Sequence, residues 1–149
     1  MKFNKKLSDI VEISKIEAVK KPIEKAHGLP NECYLNEDYI KLEREKIFQN
    51  NWTMIGVASS VPNPGDVKPF NLLGIPILII RNKDNEVKVF HNVCSHRGFK
   101  LIDRDCKLRN VIRCPYHYWS YDFNGNLVAT PHIGGLGKHD IKGFDKNKS

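Results

Sequence analysis

The sequence predicts a mainly β fold, a small β-sandwich or barrel, preceded by one or two N-terminal helices. Three observations lead there. From Trp52 onward, short runs of β-branched or alternating apolar residues recur between Gly, Pro, Asn and Asp turn signals. Before Trp52, the apolar residues recur at helical rather than alternating spacing. At 149 residues, the chain suffices for one domain with a modest core.

Between residues 7 and 26, Leu7, Ile10 and Val11, with Ile13 or Ile16, approximate one helical face. Pro22 ends or kinks that helix. His27-Gly28-Leu29-Pro30-Asn31 reads as a loop. Asn36 suits an N-cap, with Glu37 and Asp38 in the first turn, where acidic side chains oppose the helix dipole. The second helix continues to about Gln49, with Ile40, Ile47 and Phe48 on a shared face, and Asn50-Asn51 stops it.

Strands are expected over 52–58, 67–73, 76–81, 86–92, 110–113, 119–123 and 127–130. Pro62-Asn63-Pro64-Gly65-Asp66 separates the first two, Gly74 marks a tight connection, and Asn82-Lys83-Asp84-Asn85 is a hairpin loop. Asn124-Gly125 signals a type I′ hairpin. The expected organisation is a partly helical extension over 1–35, a helix over 36–51 packing on the domain, the β domain over 52–144, and a polar tail over 145–149.

The longest apolar run, 75–80, is far too short to span a bilayer. Asp9 and Glu12 interrupt what would be a signal peptide, so the expected compartment is the cytoplasm. In that compartment, Cys33 and Cys106 read as ordinary free thiols. The net charge of +7 reads as solvated surface, or as attraction toward an acidic electron donor. No stripe of interleaved basic and aromatic residues supports nucleic-acid binding. Trp52 and Trp119 are expected in the core.

Chemistry concentrates in Cys94-Ser95-His96 and Cys114-Pro115-Tyr116-His117. Each segment offers one thiol and one imidazole, and 17 residues lie between His96 and Cys114. Two thiolates and two neutral imidazoles fit either a zinc ion or a Rieske-type [2Fe–2S] cluster. Zinc modules space a Cys pair by two to four residues and a His pair by three to five. Here each arm is a mixed pair, which suits a cluster with two Cys on one iron and two His on the other. His91 and His132 lack ligand spacing, and His27 and His139 sit in polar contexts.

These two segments, with Arg97-Gly98 after the first, Tyr118-Trp119 after the second, and Tyr121-Asp122-Phe123-Asn124-Gly125 downstream, resemble the Rieske domain of ring-hydroxylating oxygenase large (alpha) subunits. That family includes aromatic-ring dioxygenases and choline-, betaine- and carnitine-type monooxygenases. The resemblance runs from about Leu29 to about Phe144. It implies a Rieske-type fold with an inserted cluster-binding subdomain. It assigns Cys94 and Cys114 to the inner iron and His96 and His117 to the outer one. Gly98, Tyr121 and Trp119 are the neighbours expected to touch the ligands or the cluster, Tyr121 by donating to a ligand cysteine.

High-potential Rieske proteins of respiratory complexes carry a second loop-cysteine pair as a disulfide, and a serine two residues after the second histidine. Phe99, Tyr116 and Trp119 stand at those places, so a potential near the low end of the Rieske range, roughly −150 to +300 mV, is expected. In the resembled subunits a larger domain follows, with a mononuclear iron held by two histidines and a carboxylate. It receives electrons that a reductase or ferredoxin delivers through the cluster. No second constellation of that kind is legible here, so the chain by itself is not expected to hydroxylate a substrate. Alternatives are a free-standing Rieske ferredoxin-like electron carrier and a zinc-stabilised binding module.

Overall fold

The computed structural model describes residues 4–139. The chain divides into two units, Met1–Met54 and Ile55–Ser149. In the first, the expected leading helix is two pieces: a 3-10 turn Leu7–Asp9, then α1, Ile13–Val19. The Asp9 carboxylate accepts the Lys6 amide at 2.8 Å and closes the first turn on itself. α1 stops before Pro22, whose ring disfavours helical angles just upstream.

A one-turn helix, α2, Glu32–Leu35, was not anticipated. One turn is too short to show a 3.6-residue period. The second expected helix is present as α3, Glu37–Glu43, running into a π turn Arg44–Phe48. Asn36 Oδ1 caps it by accepting the Asp38 amide at 2.8 Å. Its end is closed by the Asn50 and Asn51 side chains, which donate to the carbonyls of Glu45 and Ile47.

The strand expected over 52–58 does not form, and Trp52 is fully exposed rather than core. Among the described residues nothing pairs with that segment, and β-rich sequence without a neighbour makes no ladder. The other strands are found, shorter than expected at several ends. β1 (Asp66–Leu72), β2 (Ile75–Arg81), β3 (Val87–His91) and β4 (Cys106–Lys107) form an antiparallel sheet in the order β3-β2-β1-β4. β5 (Ile112–Arg113), β6 (Ser120–Tyr121) and β7 (Leu127–Ala129) form a second. The sheets are separate and do not close into a barrel, because β3 and β4 each have one neighbour only. No helix among the described residues is long and apolar enough to cross a membrane.

Turn chemistry differs from expectation in an instructive way. The type I′ turn joins β1 to β2, where Leu73 and Gly74 have φ of 48° and 89°. At Asn124-Gly125 only the glycine is left-handed, at 87°. There the Gly125 amide donates to the Asp122 carbonyl, and the Asp122 amide to Asn126. The Asn82–Glu86 turn repeats this pattern, with Asn85 at 65° in the left-handed place. In both, the leading Asx side chain accepts two amides ahead of it, which favours a longer loop over a two-residue one.

The core draws Val67, Leu78 and Ile80 from the larger sheet and Ile112, Tyr121 and Leu127 from the smaller. Cys94, Cys114, Trp119 and Phe123 complete it, so the two loop thiols are part of the packed interior. Just ahead of the first loop sits Asn92, fully buried. Its Oδ1 accepts the Leu101 and Ile102 amides at 3.2 and 2.9 Å, and its Nδ2 donates to the Ile102 carbonyl at 2.6 Å. That side chain ties the strand entering the loop to the segment leaving it. Asn92→Ala takes the partner from three half-buried backbone groups of Leu101 and Ile102, at about 1 kcal/mol each. A loss of ~3 kcal/mol is expected in urea denaturation, with Asn92→Asp, which keeps the acceptor, losing less.

Candidate metal centre

The two chemically loaded segments are the tips of two hairpins built alike. Val93 bridges Lys100 around the first, and Arg113 pairs with Ser120 around the second. Each leaves six residues in the loop. In the first, the Cys94 amide donates to the Phe99 carbonyl at 2.7 Å, and the Gly98 amide to the Cys94 carbonyl at 2.9 Å. In the second, the Cys114 amide donates to Trp119 at 2.8 Å, and the Tyr118 amide to Cys114 at 3.0 Å. The fifth loop residue is left-handed in both: Gly98 at 68° and Tyr118 at 63°. The Gly98 amide thus closes the first loop on the Cys94 carbonyl.

On these matched frames the histidines take different places, third in the first loop and fourth in the second. The offset brings the rings together: His96 and His117 lie 4.8 Å apart, edge to face. Trp119 stacks on His96 at 4.6 Å with an 8° interplanar angle, and Tyr116 covers His117 at 3.7 Å. Phe99 meets Tyr116 at 5.5 Å. A run of five rings therefore crosses both loops. Phe99 and Tyr116 thus form a ring pair between the two loops.

The thiols lie deeper, and Cys94 and Cys114 are both buried in the same core cluster. Burial pushes the Cys94 thiol up, the Tyr121 hydroxyl and the His96 amide pull it down, and Cys114 pushes it up again. Tyr121 Oη stands 3.2 Å from Cys94 Sγ, 2.9 Å from Ser95 Oγ, and accepts the Ser95 amide at 3.1 Å. Burial, reinforced by Cys94, pushes the Tyr121 phenol up to about 12. It stays protonated and able to donate toward sulfur. His96 is lowered by burial, then by the charges of His117 and Arg97, so its imidazole is held in the neutral form that binds metal.

One atom tests the site for a metal group. His117 Nδ1 is buried and has no hydrogen-bond partner. An orphaned buried nitrogen costs about 1–3 kcal/mol, and a metal bond removes that cost. With two buried thiols and a second imidazole nearby, the donors fit a [2Fe–2S] cluster. The family model for the Rieske [2Fe-2S] domain matches residues 51–140.

The chain belongs to the Rieske [2Fe–2S] domain family. It is 33% identical over 124 residues to the carnitine monooxygenase oxygenase subunit of Acinetobacter baumannii, covering 83% of this chain and 32% of that protein. It is 34% identical over 109 residues to the benzene 1,2-dioxygenase alpha subunit of Pseudomonas putida, covering 73% of this chain and 24% of that one. The apo structure of a quaternary ammonium Rieske monooxygenase superposes with a TM-score of 0.69 at 33% identity, covering 82% of this chain and 34% of that chain. This Rieske chain thus spans about a third or less of its relatives' length.

Sequence reading singled out Cys94, His96, Cys114, His117 and Tyr121 but not Asn92, Ser95 or the left-handed Tyr118. Asn92, a polar residue closing an apolar strand beside Cys94, was the one legible signal. The fifth loop place gives a paired test. A Cβ on Gly98 meets no atom within 4 Å, so Gly98→Ala costs about 1–2 kcal/mol from backbone strain alone. Tyr118→Gly relieves that strain but loses about 0.5–1 kcal/mol of backbone entropy. A gain of about 0.5 kcal/mol is expected, opposite in sign to Gly98→Ala, in denaturant titrations of the metal-free chain.

Proposed function

We propose that this chain is the electron-transfer part of a Rieske non-heme iron oxygenase. In that role it accepts single electrons from a reductase or ferredoxin and passes them to a mononuclear iron outside these 149 residues. The observation that carries the reading is the pair of matched hairpins, which bring two buried thiols and two imidazoles to one place around the unsatisfied His117 Nδ1. When bound there, a [2Fe–2S] cluster supplies one-electron exchange at a potential that ligand charge and hydrogen bonds set.

In this reading Cys94 and Cys114 would hold one iron and would lose their protons to do so. His96 and His117 hold the outer iron at the less buried end. In such a centre the two thiolates would supply the only protein charge, since the imidazoles are neutral. An all-cysteine site would carry two more negative charges and accept an electron less readily. Tyr121 Oη, 3.2 Å from Cys94 Sγ, would donate to the sulfur and stabilise the added negative charge.

Two further facts support the reading. Among the described residues, no three His, Cys, Asp or Glu side chains are placed to hold a single metal ion. A structural zinc takes four protein ligands at one point, whereas each Rieske iron takes two. Relatives whose names carry carnitine and benzene match this chain at 33% and 34% identity over 83% and 73% of its length, which suits a part that different oxygenases share. A cytoplasmic setting, where thiols stay reduced, suits the four free cysteines.

The deciding measurement is absorbance and electron paramagnetic resonance of the full chain after loading with iron and sulfide. A reduced-state Rieske spectrum with two irons per chain is expected, and zinc without iron would sink the reading. His117→Ala should lose the cluster and weaken the local fold; full loading in that variant contradicts the ligand set. Tyr121→Phe should keep the cluster and lower its midpoint by about 40 mV. That is the loss of ~1 kcal/mol of stabilisation of the reduced state in a one-electron couple.

A further inference from the structure

Metal-bound histidines are ordinarily oriented by a hydrogen bond from the ring nitrogen that does not face the metal. Among the described residues the His96 ring has no such bond. Its plane is fixed by rings instead: His117 against its edge at 4.8 Å, and Trp119 flat against its face at 4.6 Å and 8°. His117 belongs to the proposed ligand set itself. Trp119 is therefore the side chain outside the set that defines how His96 faces the centre.

Trp119 is well placed to act as a fixed plane. It is buried among the core residues, 4% exposed, beside Cys94, Cys114 and Tyr121. Its backbone has a separate task, accepting the Cys114 amide at 2.8 Å, which any side chain at 119 leaves intact. Replacing the indole therefore tests the ring contact with the loop frame still closed. The contact also runs between the loops. Tyr121, two residues on, places Cys94 of the first loop through its hydroxyl, and Trp119 places His96 of the same loop through its face. Both first-loop donors are thus aligned from the second hairpin.

We propose that Trp119 is the positioning residue for His96. Its flat indole sets the imidazole plane presented to the outer iron, and through it the firmness and the potential of the exposed end of the cluster. The inference rests on the cluster reading above and adds to it a side chain that supplies no ligand atom.

The test uses the full chain loaded with iron and sulfide, as wild type, Trp119→Phe, Trp119→Met and Trp119→Leu. Far-UV circular dichroism monitors the fold. The readouts are the reduced-state paramagnetic resonance spectrum, the midpoint potential, and the rate of cluster loss to an added chelator. The Met variant fills most of the volume without a flat face, and it decides the matter if the Leu variant does not fold. Met and Leu should take up the cluster yet show shifted g values, a moved midpoint and about tenfold faster loss, the size expected when a ligand's supporting contact is removed. Phe, which keeps a flat ring, should restore the spectrum and the midpoint toward wild type. A Met variant with wild-type spectrum and midpoint overturns the assignment, as does a Phe variant no closer to wild type than Met. A wild-type chain that takes up no [2Fe–2S] cluster overturns the underlying reading instead, whatever the variants do.

Discussion

The second unit depends on one repeated backbone closure. In each loop a cysteine amide reaches across to the carbonyl of the sixth loop residue, while its own carbonyl receives the amide of the fifth. Four main-chain hydrogen bonds thus fix two thiols before any metal chemistry is considered. A net value near 1 kcal/mol for each is modest. What matters more is that these groups sit against a packed core, where leaving them unpaired costs more than pairing them gains. The cysteines are core residues and ligand candidates at once, and the loops cannot drift without disturbing Leu78, Ile80 and Leu127.

Matched frames carrying unmatched side chains explain the asymmetry of the two motifs. If both histidines stood third in their loops, the places facing each other would be filled by equivalent groups. The shift by one residue puts Tyr116 where the first loop has His96, and Arg97 where the second has His117. Tyr116 then covers His117, and Arg97 remains exposed, its charge felt by His96. The unequal spacing that suggested a mixed-ligand cluster thus has a structural counterpart: it separates ring packing from charge around two otherwise equivalent hairpins.

Much of this was legible in the sequence because the signals were local. Alternation gave β1 to β3, Asn36 announced its helix, and the Cys and His pairs stood out by residue type. What was not legible depended on partners distant in sequence. The segment 52–58 reads as a strand by composition, yet a strand exists only with a neighbour, and none is present among the described residues. The type I′ turn lies at Leu73-Gly74 because six paired residues of β1 and β2 dictate the register there. At Asn124 the Asp122 carboxylate captures the Asn124 and Asn126 amides first. Tyr118 was hidden for the same reason: nothing about tyrosine suggests φ of 63°, and only the closure of the hairpin requires it.

The ring pair of Phe99 and Tyr116 has one further consequence. A disulfide at the same two places would be a redox couple, open to attack by thiolates in its surroundings. Aromatic rings have no such alternative state. The ring contact between these loops is therefore blind to the reducing power of its surroundings.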